Sequence, residues 1–106
     1  MSKSSTALQS LPNLAVRSIT TLGADLRIAR ERRGESLRAM SARMNVSVPT
    51  LRRMEAGDPA VSLGIYATAL WLFDRVEQLE ALMDPHADAY ATRLDIERSS
   101  RARRRS

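Results

Sequence analysis

The chain has 106 residues, a formal net charge of +5 and 43% hydrophobic residues, and this length allows one small domain. It contains no cysteine, which excludes disulfide bonds and thiolate chemistry, and no apolar run near the ~20 residues that span a bilayer. The N-terminus lacks the apolar region of a signal peptide, so a cytoplasmic protein without membrane contact is expected.

The charge is unevenly distributed along the chain. Residues 22–58 carry eight cations and five acids, a net of +3, whereas residues 59–97 carry two cations and seven acids, a net of −5. Residues 98–106 carry five arginines and no acid. A basic half and an acidic half favour two surfaces with different partners, but both fit ordinary solvated faces equally well.

The hydrophobic pattern predicts an all-α protein, a compact bundle of about five short helices with flexible tails at both ends. Residues 1–21 are rich in serine and threonine and predict a flexible N-terminal extension. The first helix is predicted from about Leu22 to Arg33. Gly34 follows it directly, which is favourable for a helix end.

Only three residues separate the second and third predicted helices. Ser36 is the predicted N-cap of a helix from Leu37 to Met44, and Asn45 tolerates the left-handed conformation of a sharp turn. Ser47 is the predicted N-cap of the next helix, which ends at Gly57. The spacing therefore predicts two short helices that meet at a tight turn.

Such a pair of helices predicts a helix-turn-helix. In this motif the second helix projects its N-terminal end into the major groove of DNA and packs its apolar face against the first. Leu51 and Met54 supply the apolar face. The free face carries Arg52 and Arg53, and arginine both reads guanine and holds phosphate.

The remaining predicted DNA contacts surround these two arginines, at the start of the same helix and on the outer side of the preceding one. They are Ser47, Val48, Pro49, Thr50, Arg38 and Arg43. The N–H groups at a helix start suit phosphate oxygens, whereas the apolar side chains suit thymine methyl groups. A helix-turn-helix that binds no nucleic acid, with its arginines only solvated, remains the alternative.

Three further helices are predicted downstream. The first runs from Leu63 to Phe73, the second covers about Asp74 to Met83, and the third and weaker one covers Ala87 to Arg98. The arginine-rich end cannot bury apolar surface and is expected to be disordered on its own. These boundaries predict a DNA-binding domain over residues 22–83 and a C-terminal extension over residues 84–106.

The segment MSARMNVSVPTLRRMEAGD resembles the Cro and phage-repressor type of helix-turn-helix, the XRE family. The matching residues are Met40, Val46, Ser47, Thr50, Leu51, Glu55 and Gly57. The resemblance implies DNA binding and a pair between Arg30 and Glu55 that orients the arginine toward a phosphate. This chain also departs from the family, because Leu37 stands where a DNA-contacting glutamine is frequent.

The next segment, GDPAVSLGIYATALWLFDRVEQLEALMDP, is similar to the corresponding part of HipB-like antitoxins. The resemblance implies a dimer that binds double-stranded operator DNA in its own promoter and sequesters a HipA-like serine/threonine kinase toxin. The acidic residues 59–97 suit such a protein partner. The alternatives are a stand-alone phage-type repressor and a protein-interaction module that keeps the fold without specific DNA binding.

A homodimer is also expected because one short recognition helix reads only a few base pairs. The candidates for its interface are apolar residues of the helix after the motif, although most of them fit an ordinary core. They are Tyr66, Trp71, Leu72 and Phe73. For the arginine-rich tail, binding to phosphates, entry into an acidic cleft of the partner and a merely solvated basic tail remain open.

No enzyme and no cofactor are expected from the sequence. His86 is the single histidine, and no glycine-rich phosphate loop or paired catalytic carboxylates can be recognised. Asp84, His86 and Asp88 leave open a chance metal site near a helix break.

Overall fold

A computed structural model describes residues 6–105, and these residues form seven α-helices and one 3-10 turn, with no strand among them. The helices are α1 (Thr6–Gln9), α2 (Asn13–Arg32), α3 (Leu37–Met44), α4 (Val48–Glu55), α5 (Leu63–Leu72), α6 (Gln78–Ala81) and α7 (Ala89–Arg105). The 3-10 turn covers Pro85–Ala87. The chain divides into two compact units, Met1–Val76 and Glu77–Ser106. The predicted all-α class is confirmed.

The first unit is organised around a core of aliphatic, methionine and aromatic side chains. In this unit α2 packs on α4, α4 packs on α3, and α3 packs on α5. Met40, Leu51 and Met54 are fully buried, and each such side chain stabilises the fold by about 1.5–3 kcal/mol relative to exposure. The other buried apolar residues are Leu26, Met44, Val61, Tyr66, Ala69 and Phe73. This core fixes both helices of the predicted motif.

Four helix ends are closed by a residue in the left-handed conformation. These residues are Gly34 (φ 66°), Asn45 (φ 59°), Gly57 (φ 75°) and Asp74 (φ 59°). The N–H of the residue after each returns to the last helical turn, as Val46 does to the Ser41 carbonyl at 3.0 Å. The helix ends predicted at Gly34, Asn45 and Gly57 are confirmed.

The backbones of α2 and of the end of α4 lie in direct contact. A Cβ added to Gly23 would lie 2.5 Å from the Met54 carbonyl oxygen and 2.6 Å from the Gly57 nitrogen. A Cβ added to Gly57 would lie 2.5 Å from Thr20 Cα. Both glycines are therefore required by this crossing, which sets how closely α4 seats against α2.

The start of α2 differs from the predicted one. The helix begins at Asn13 instead of about Leu22, so helix replaces much of the predicted flexible extension. Pro12 precedes it with φ −59°, and Ile19 packs against the core. The prediction relied on serine and threonine content and gave too little weight to this apolar contact. Its part over residues 1–5 lies outside the described residues.

The helix predicted over Asp74–Met83 is also wrong, because only α6 forms there. Asp74 adopts the left-handed conformation and closes α5, and the N–H of Arg75 returns to the Leu70 carbonyl at 2.8 Å. An aspartate tolerates this conformation better than most residues. A local hydrogen-bonded stop therefore overrides the apolar spacing that suggested a continuous helix.

The C-terminal helix is longer than predicted. α7 continues through the arginines that were expected to be disordered and ends at Arg105. Asp88 Oδ1 accepts a hydrogen bond from the N–H of Ala91 at its start, and arginine is a good helix former. Despite this length, no helix within residues 6–105 is both long and apolar enough to cross a membrane.

Candidate nucleic-acid interface

Three residues join α3 to α4, and each has a defined role. Asn45, with φ 59° and ψ 43°, reverses the chain, and Val46 packs against the core. The Oγ of Ser47 accepts from the N–H of Thr50 at 3.1 Å, and the Ser47 hydroxyl donates to Thr50 Oγ1 at 2.9 Å. These contacts hold the start of α4 in one orientation.

α4 has a buried inner face and an exposed outer face. Leu51, Met54 and Glu55 form the inner face. The exposed residues of the helix and its caps are Ser47, Pro49, Arg52, Arg53 and Ala56, with Val48 and Thr50 half-buried. The structure therefore brings the predicted contacts of α4 together on the surface that the core leaves free.

A buried ion pair anchors α4 to α2. Arg30 Nε lies 2.7 Å from Glu55 Oε2, and Arg30 Nη2 lies 3.1 Å from Glu55 Oε1. Arg30 Nη1 also donates to the Glu35 carbonyl oxygen at 2.9 Å, just before α3. The hydrogen bond to Glu55 is the main cause that raises the pKa of Arg30, and burial acts in the opposite direction. Arg30 thus ties α2, the following turn and α4 together.

This placement bears on the prediction that Arg30 also contacts DNA. The residue is only 8% exposed, and all three of its guanidinium nitrogens already donate within the domain. Removing one partner of a buried ion pair costs about 3–5 kcal/mol, because the other charge is left without compensation. The burial argues against a direct phosphate contact and favours a role in supporting α4.

Arg53, the predicted base-reading residue, is held by the loop after α4. Its Nε donates to Asp58 Oδ2 at 2.8 Å, and the two side chains are 52% and 31% exposed. Asp58 Oδ1 accepts from the N–H of Ala60 at 2.8 Å, and the Asp58 carbonyl oxygen accepts from the Tyr66 hydroxyl at 2.9 Å. The loop therefore sets the direction of the Arg53 side chain.

The same contacts perturb two ionisable groups. The hydrogen bond from Ala60, and then that from Arg53, lowers the pKa of Asp58 below its ordinary value near 3.8. Burial, followed by the charge of Asp58, raises the pKa of Tyr66 above 10.0. At neutral pH Asp58 is therefore a charged carboxylate, and Tyr66 is a neutral hydroxyl that donates to the loop.

The two predicted arginines of α3 differ in their surroundings. Arg43 Nη1 lies 2.8 Å from both carboxylate oxygens of Glu35, whose side chain is mostly buried. Arg38 is exposed, and no hydrogen bond or ion pair within residues 6–105 engages its side chain. Arg43 is thus largely neutralised, whereas the charge of Arg38 is available to a ligand.

An open groove of about 380 Å³ lies where α2, the start of α3 and the end of α4 meet. Its lining residues are Arg27, Arg30, Leu37, Arg52, Glu55 and Ala56. Since Arg30 and Glu55 neutralise each other, Arg27 and Arg52 give this groove its positive charge. Arg27 also forms an exposed pair with Glu31 at 3.0 Å, which is readily exchanged for another anion.

Sequence reasoning missed four residues that shape this surface. They are Gly23, Arg27, Glu35 and Asp58. Gly23 interrupts a helical pattern, which is itself a signal of close packing. Glu35 and Asp58 each follow a helix-ending glycine and pair with an arginine of α3 or α4. The sequence signal that could have found these two residues is an acid directly after a helix-ending glycine. Which arginine that acid pairs with depends on how the turn folds.

The structure does not bring Asp84, His86 and Asp88 together as metal ligands. No group of three candidate ligands occurs within residues 6–105. Asp84 Oδ1 accepts from the N–H of His86 at 2.9 Å, and Asp88 caps α7. The possible metal site is therefore not formed by these residues, and the carboxylates of Asp84 and Asp88 accept local backbone hydrogen bonds instead.

α3 braces α4 and leaves its capped, basic face open, which is the arrangement of a helix-turn-helix protein. A family model described as a helix-turn-helix domain matches residues 21–86, more than half of the chain. The chain therefore belongs to this family of helix-turn-helix domains, consistent with an XRE-like motif. No curated protein and no solved structure matches it significantly. The family and the all-helical fold indicate a DNA-binding regulator.

Proposed function

We propose that this protein is a sequence-specific transcriptional repressor that binds an operator in its own promoter. The observation that carries the proposal is the outer face of α4, where Arg52 and Arg53 are exposed while the inner face is fixed in the core. Reading side chains on such a rigid element are held more accurately than side chains on a loop. A repressor of this kind works in the cytoplasm, at the nucleoid.

The residues of α4 divide the contacts to DNA in this proposal. Val48 and Pro49, at the start of the helix, contact thymine methyl groups because their side chains cannot donate hydrogen bonds. Arg53 reads guanine in the major groove. Ser47 and Thr50, beside the N–H groups of the first turn, approach a phosphate.

The groove at the start of α3 accepts a second phosphate. The groove is lined by Leu37, Arg27 and Arg52. The side chain of Leu37 cannot form a hydrogen bond to DNA. Arginine binds phosphate through two parallel hydrogen bonds, so these residues supply the polar contact that Leu37 lacks. Arg38, exposed on α3, adds a further contact to the backbone.

The repressor acts as a homodimer in this proposal, and α5 supplies the interface. Of the four candidate residues, Tyr66 and Phe73 are buried and Leu72 is half-buried, but Trp71 is 62% exposed. α5 carries no charged residue, so identical faces can meet without repulsion in a chain of net charge +5. Thr68, three residues before Trp71 on α5, donates its hydroxyl to the Gly64 carbonyl oxygen at 2.9 Å.

We extend the proposal to an antitoxin that sequesters a HipA-like kinase toxin. Its supports are the resemblance of the segment after the motif to HipB-like antitoxins and the net charge of −5 over residues 59–97. A stand-alone phage-type repressor is the alternative within the same class. A kinase-like reading frame next to this gene, whose product co-purifies with the full chain, would separate the antitoxin from that alternative.

The experiment that tests specific DNA binding is fluorescence anisotropy with two duplexes at two salt concentrations. One duplex has the sequence immediately upstream of the gene, and the other has the same composition in scrambled order. A preference of about a hundredfold that persists at the higher salt supports an operator-binding repressor. Equal affinity for the two duplexes that is lost at the higher salt would mean that the arginines bind DNA only through counterion release. That result would favour a protein-interaction module.

A further inference from the structure

The arginines at the end of the chain are carried on a helix, not on a disordered tail. Residues 98–105 contain five arginines and no acid, and all of them belong to α7. A helix fixes the relative directions of its side chains, so these arginines form faces. Their arrangement can therefore be compared with the shape of a ligand.

Three of the five arginines lie on one face. Arg98, Arg101 and Arg105 are spaced i, i+3 and i+7, and with Ala102 they line one shallow groove of about 320 Å³. Arg103 lies on the opposite side of the helix by its register. With a rise of about 1.5 Å per residue, the three arginines extend over roughly 10 Å of the helix axis.

Stabilisation of the helix end does not account for this face. Basic residues favour a helix C-terminus, but the effect is confined to about the last turn. Arg98 and Arg101 lie before that turn. Arg98 does pair with Asp95 at 3.5 Å, but both side chains are at least 70% exposed, and such a pair contributes little.

The composition of the face favours a polyanion over a folded protein as its ligand. The centre of a protein–protein interface is depleted in charge and anchored by aromatic or apolar side chains. Ala102 is the one apolar side chain lining this groove. The first part of α7 differs, because Tyr90, Leu94 and Ile96 line a separate groove there.

We propose that Arg98, Arg101 and Arg105 form a second, sequence-independent contact of this protein with duplex DNA, through its phosphate backbone. Each guanidinium binds phosphate oxygens through paired hydrogen bonds. Duplex DNA presents about one negative charge per 1.7 Å of its axis, so a face of this length meets several phosphates. The inference rests on the proposed function only in taking duplex DNA as the ligand.

The test is the salt dependence of binding to a fluorescein-labelled duplex of scrambled sequence, with the full chain and three variants. Arg101→Gln removes one charge from the face, and Arg103→Gln removes one charge from the opposite side. The third variant combines Arg98→Gln, Arg101→Gln and Arg105→Gln. Glutamine forms helices nearly as well as arginine, so α7 should be retained, and circular dichroism checks this.

We expect Arg101→Gln to reduce the slope of log K against log salt by about 0.9, with roughly eightfold weaker binding near 0.1 M salt. The triple variant reduces the slope by about 2.7, three times as much, and Arg103→Gln leaves it nearly unchanged. Equal reductions of the slope by Arg101→Gln and Arg103→Gln would show that the attraction is diffuse. That result would overturn the proposal that one face of α7 binds the duplex. An unchanged slope in the triple variant would also overturn it and leave an acidic protein as the ligand.

The same measurement separates this inference from the proposed function. Because the contact is independent of sequence, the triple variant should lose the same factor on the upstream and scrambled duplexes. Their affinity ratio in the unmodified chain tests the repressor, whereas the slope tests α7. If the unmodified chain shows no sequence preference, the proposed operator binding is refuted but the phosphate contact of α7 is not. If the triple variant loses affinity only for the upstream duplex, the phosphate contact is refuted.

Discussion

Arg30 and Glu55 meet edge to edge, 25 residues apart in the chain, with contacts of 2.7 and 3.1 Å. The pair joins the last turn of α2 to the end of α4, the helix that carries Arg52 and Arg53. Both side chains are less than a tenth exposed. The position of the proposed reading surface therefore depends on a charge pair that solvent barely reaches.

Removing one member of this pair should destabilise the protein strongly. Glu55→Ala leaves the Arg30 charge buried, and we expect the free energy of unfolding to fall by about 3–5 kcal/mol. Since small domains are stable by only about 5–15 kcal/mol, this variant will be close to unfolding at room temperature. Urea denaturation followed by circular dichroism measures the change.

The matched control replaces the whole pair with apolar side chains. The double variant Arg30→Met and Glu55→Leu removes both charges, so we expect it to recover most of the stability lost in Glu55→Ala. It still loses the hydrogen bond to Glu35, which is worth about 1 kcal/mol. A double variant no more stable than Glu55→Ala would show that the loss comes from packing and not from an unpaired charge.

A second prediction concerns the backbone crossing of α2 and α4. Gly23→Ala should destabilise the domain by about 1–3 kcal/mol, because its Cβ meets the backbone of Met54 and Gly57 at 2.5 and 2.6 Å. This loss opposes the gain of up to about 1 kcal/mol that alanine gives an exposed helix. Thermal unfolding would detect the difference.

Gly64→Ala in α5 is the control for Gly23→Ala. Its Cβ would meet only Ser62 Oγ, at an ordinary 3.7 Å, so helix propensity should act alone and leave stability equal or slightly higher. If both variants were equally stable, the crossing would be adjustable and Gly23 would not be required by it.

The accuracy of the sequence-based predictions follows from how local each signal is. The ends of α3 and α4 were predicted because Ser36, Asn45, Ser47 and Gly57 act within one turn of themselves. The start of α2 was missed because Ile19 gains its contact only after the core has formed. Propensity alone cannot weigh a tertiary contact of this kind.

The candidate site also combines features set by local sequence signals with features set by tertiary contacts. The outer face of α4 follows from helical periodicity once the caps are known. The pairing of Arg53 with Asp58 and of Arg43 with Glu35 does not, because each pair spans a turn whose geometry decides the distance. The sequence therefore predicted which arginines are exposed, but not which of them are paired with an acid within the fold.

A third prediction separates base reading from phosphate binding. Arg53→Ala should weaken binding to the upstream duplex by about 1–3 kcal/mol and reduce the preference over scrambled DNA. Arg52→Ala should weaken binding to both duplexes alike and reduce the salt slope by about 1. Anisotropy titrations at several salt concentrations measure both effects. Unchanged affinity and specificity in Arg53→Ala would mean that α4 docks in another register.

A fourth prediction concerns acid stability. The lowered pKa of Asp58 means that the unfolded chain binds its proton at a higher pH than the folded chain. The stability from this carboxylate is therefore present above its ordinary pKa near 3.8 and is lost as the pH falls through the lower folded value. Unfolding measured between about pH 6 and pH 3 should show this loss, and Asp58→Asn should reduce it.

Asp25→Asn is the control for the acid dependence. Asp25 is exposed on α2, and no hydrogen bond or ion pair within residues 6–105 engages its side chain. This variant should keep the acid dependence of the unmodified chain. An Asp58→Asn variant with the same dependence would place the acid-sensitive contact elsewhere in the fold.

The last prediction tests the α5 interface. Trp71→Glu places a charge at the centre of the proposed symmetric contact, so we expect the dimer to dissociate at least thirtyfold more readily, as for a hot-spot tryptophan worth about 2 kcal/mol. Leu63→Glu is the matched control, because Leu63 is 69% exposed on the same helix but lies roughly 12 Å from Trp71 along the helix axis, away from the centre of the proposed contact. Sedimentation velocity over a range of concentrations should show monomer for Trp71→Glu and dimer for Leu63→Glu. Dimers in both variants would exclude this face of α5 as the interface, and dissociation in both would point to a general sensitivity of α5 to charge.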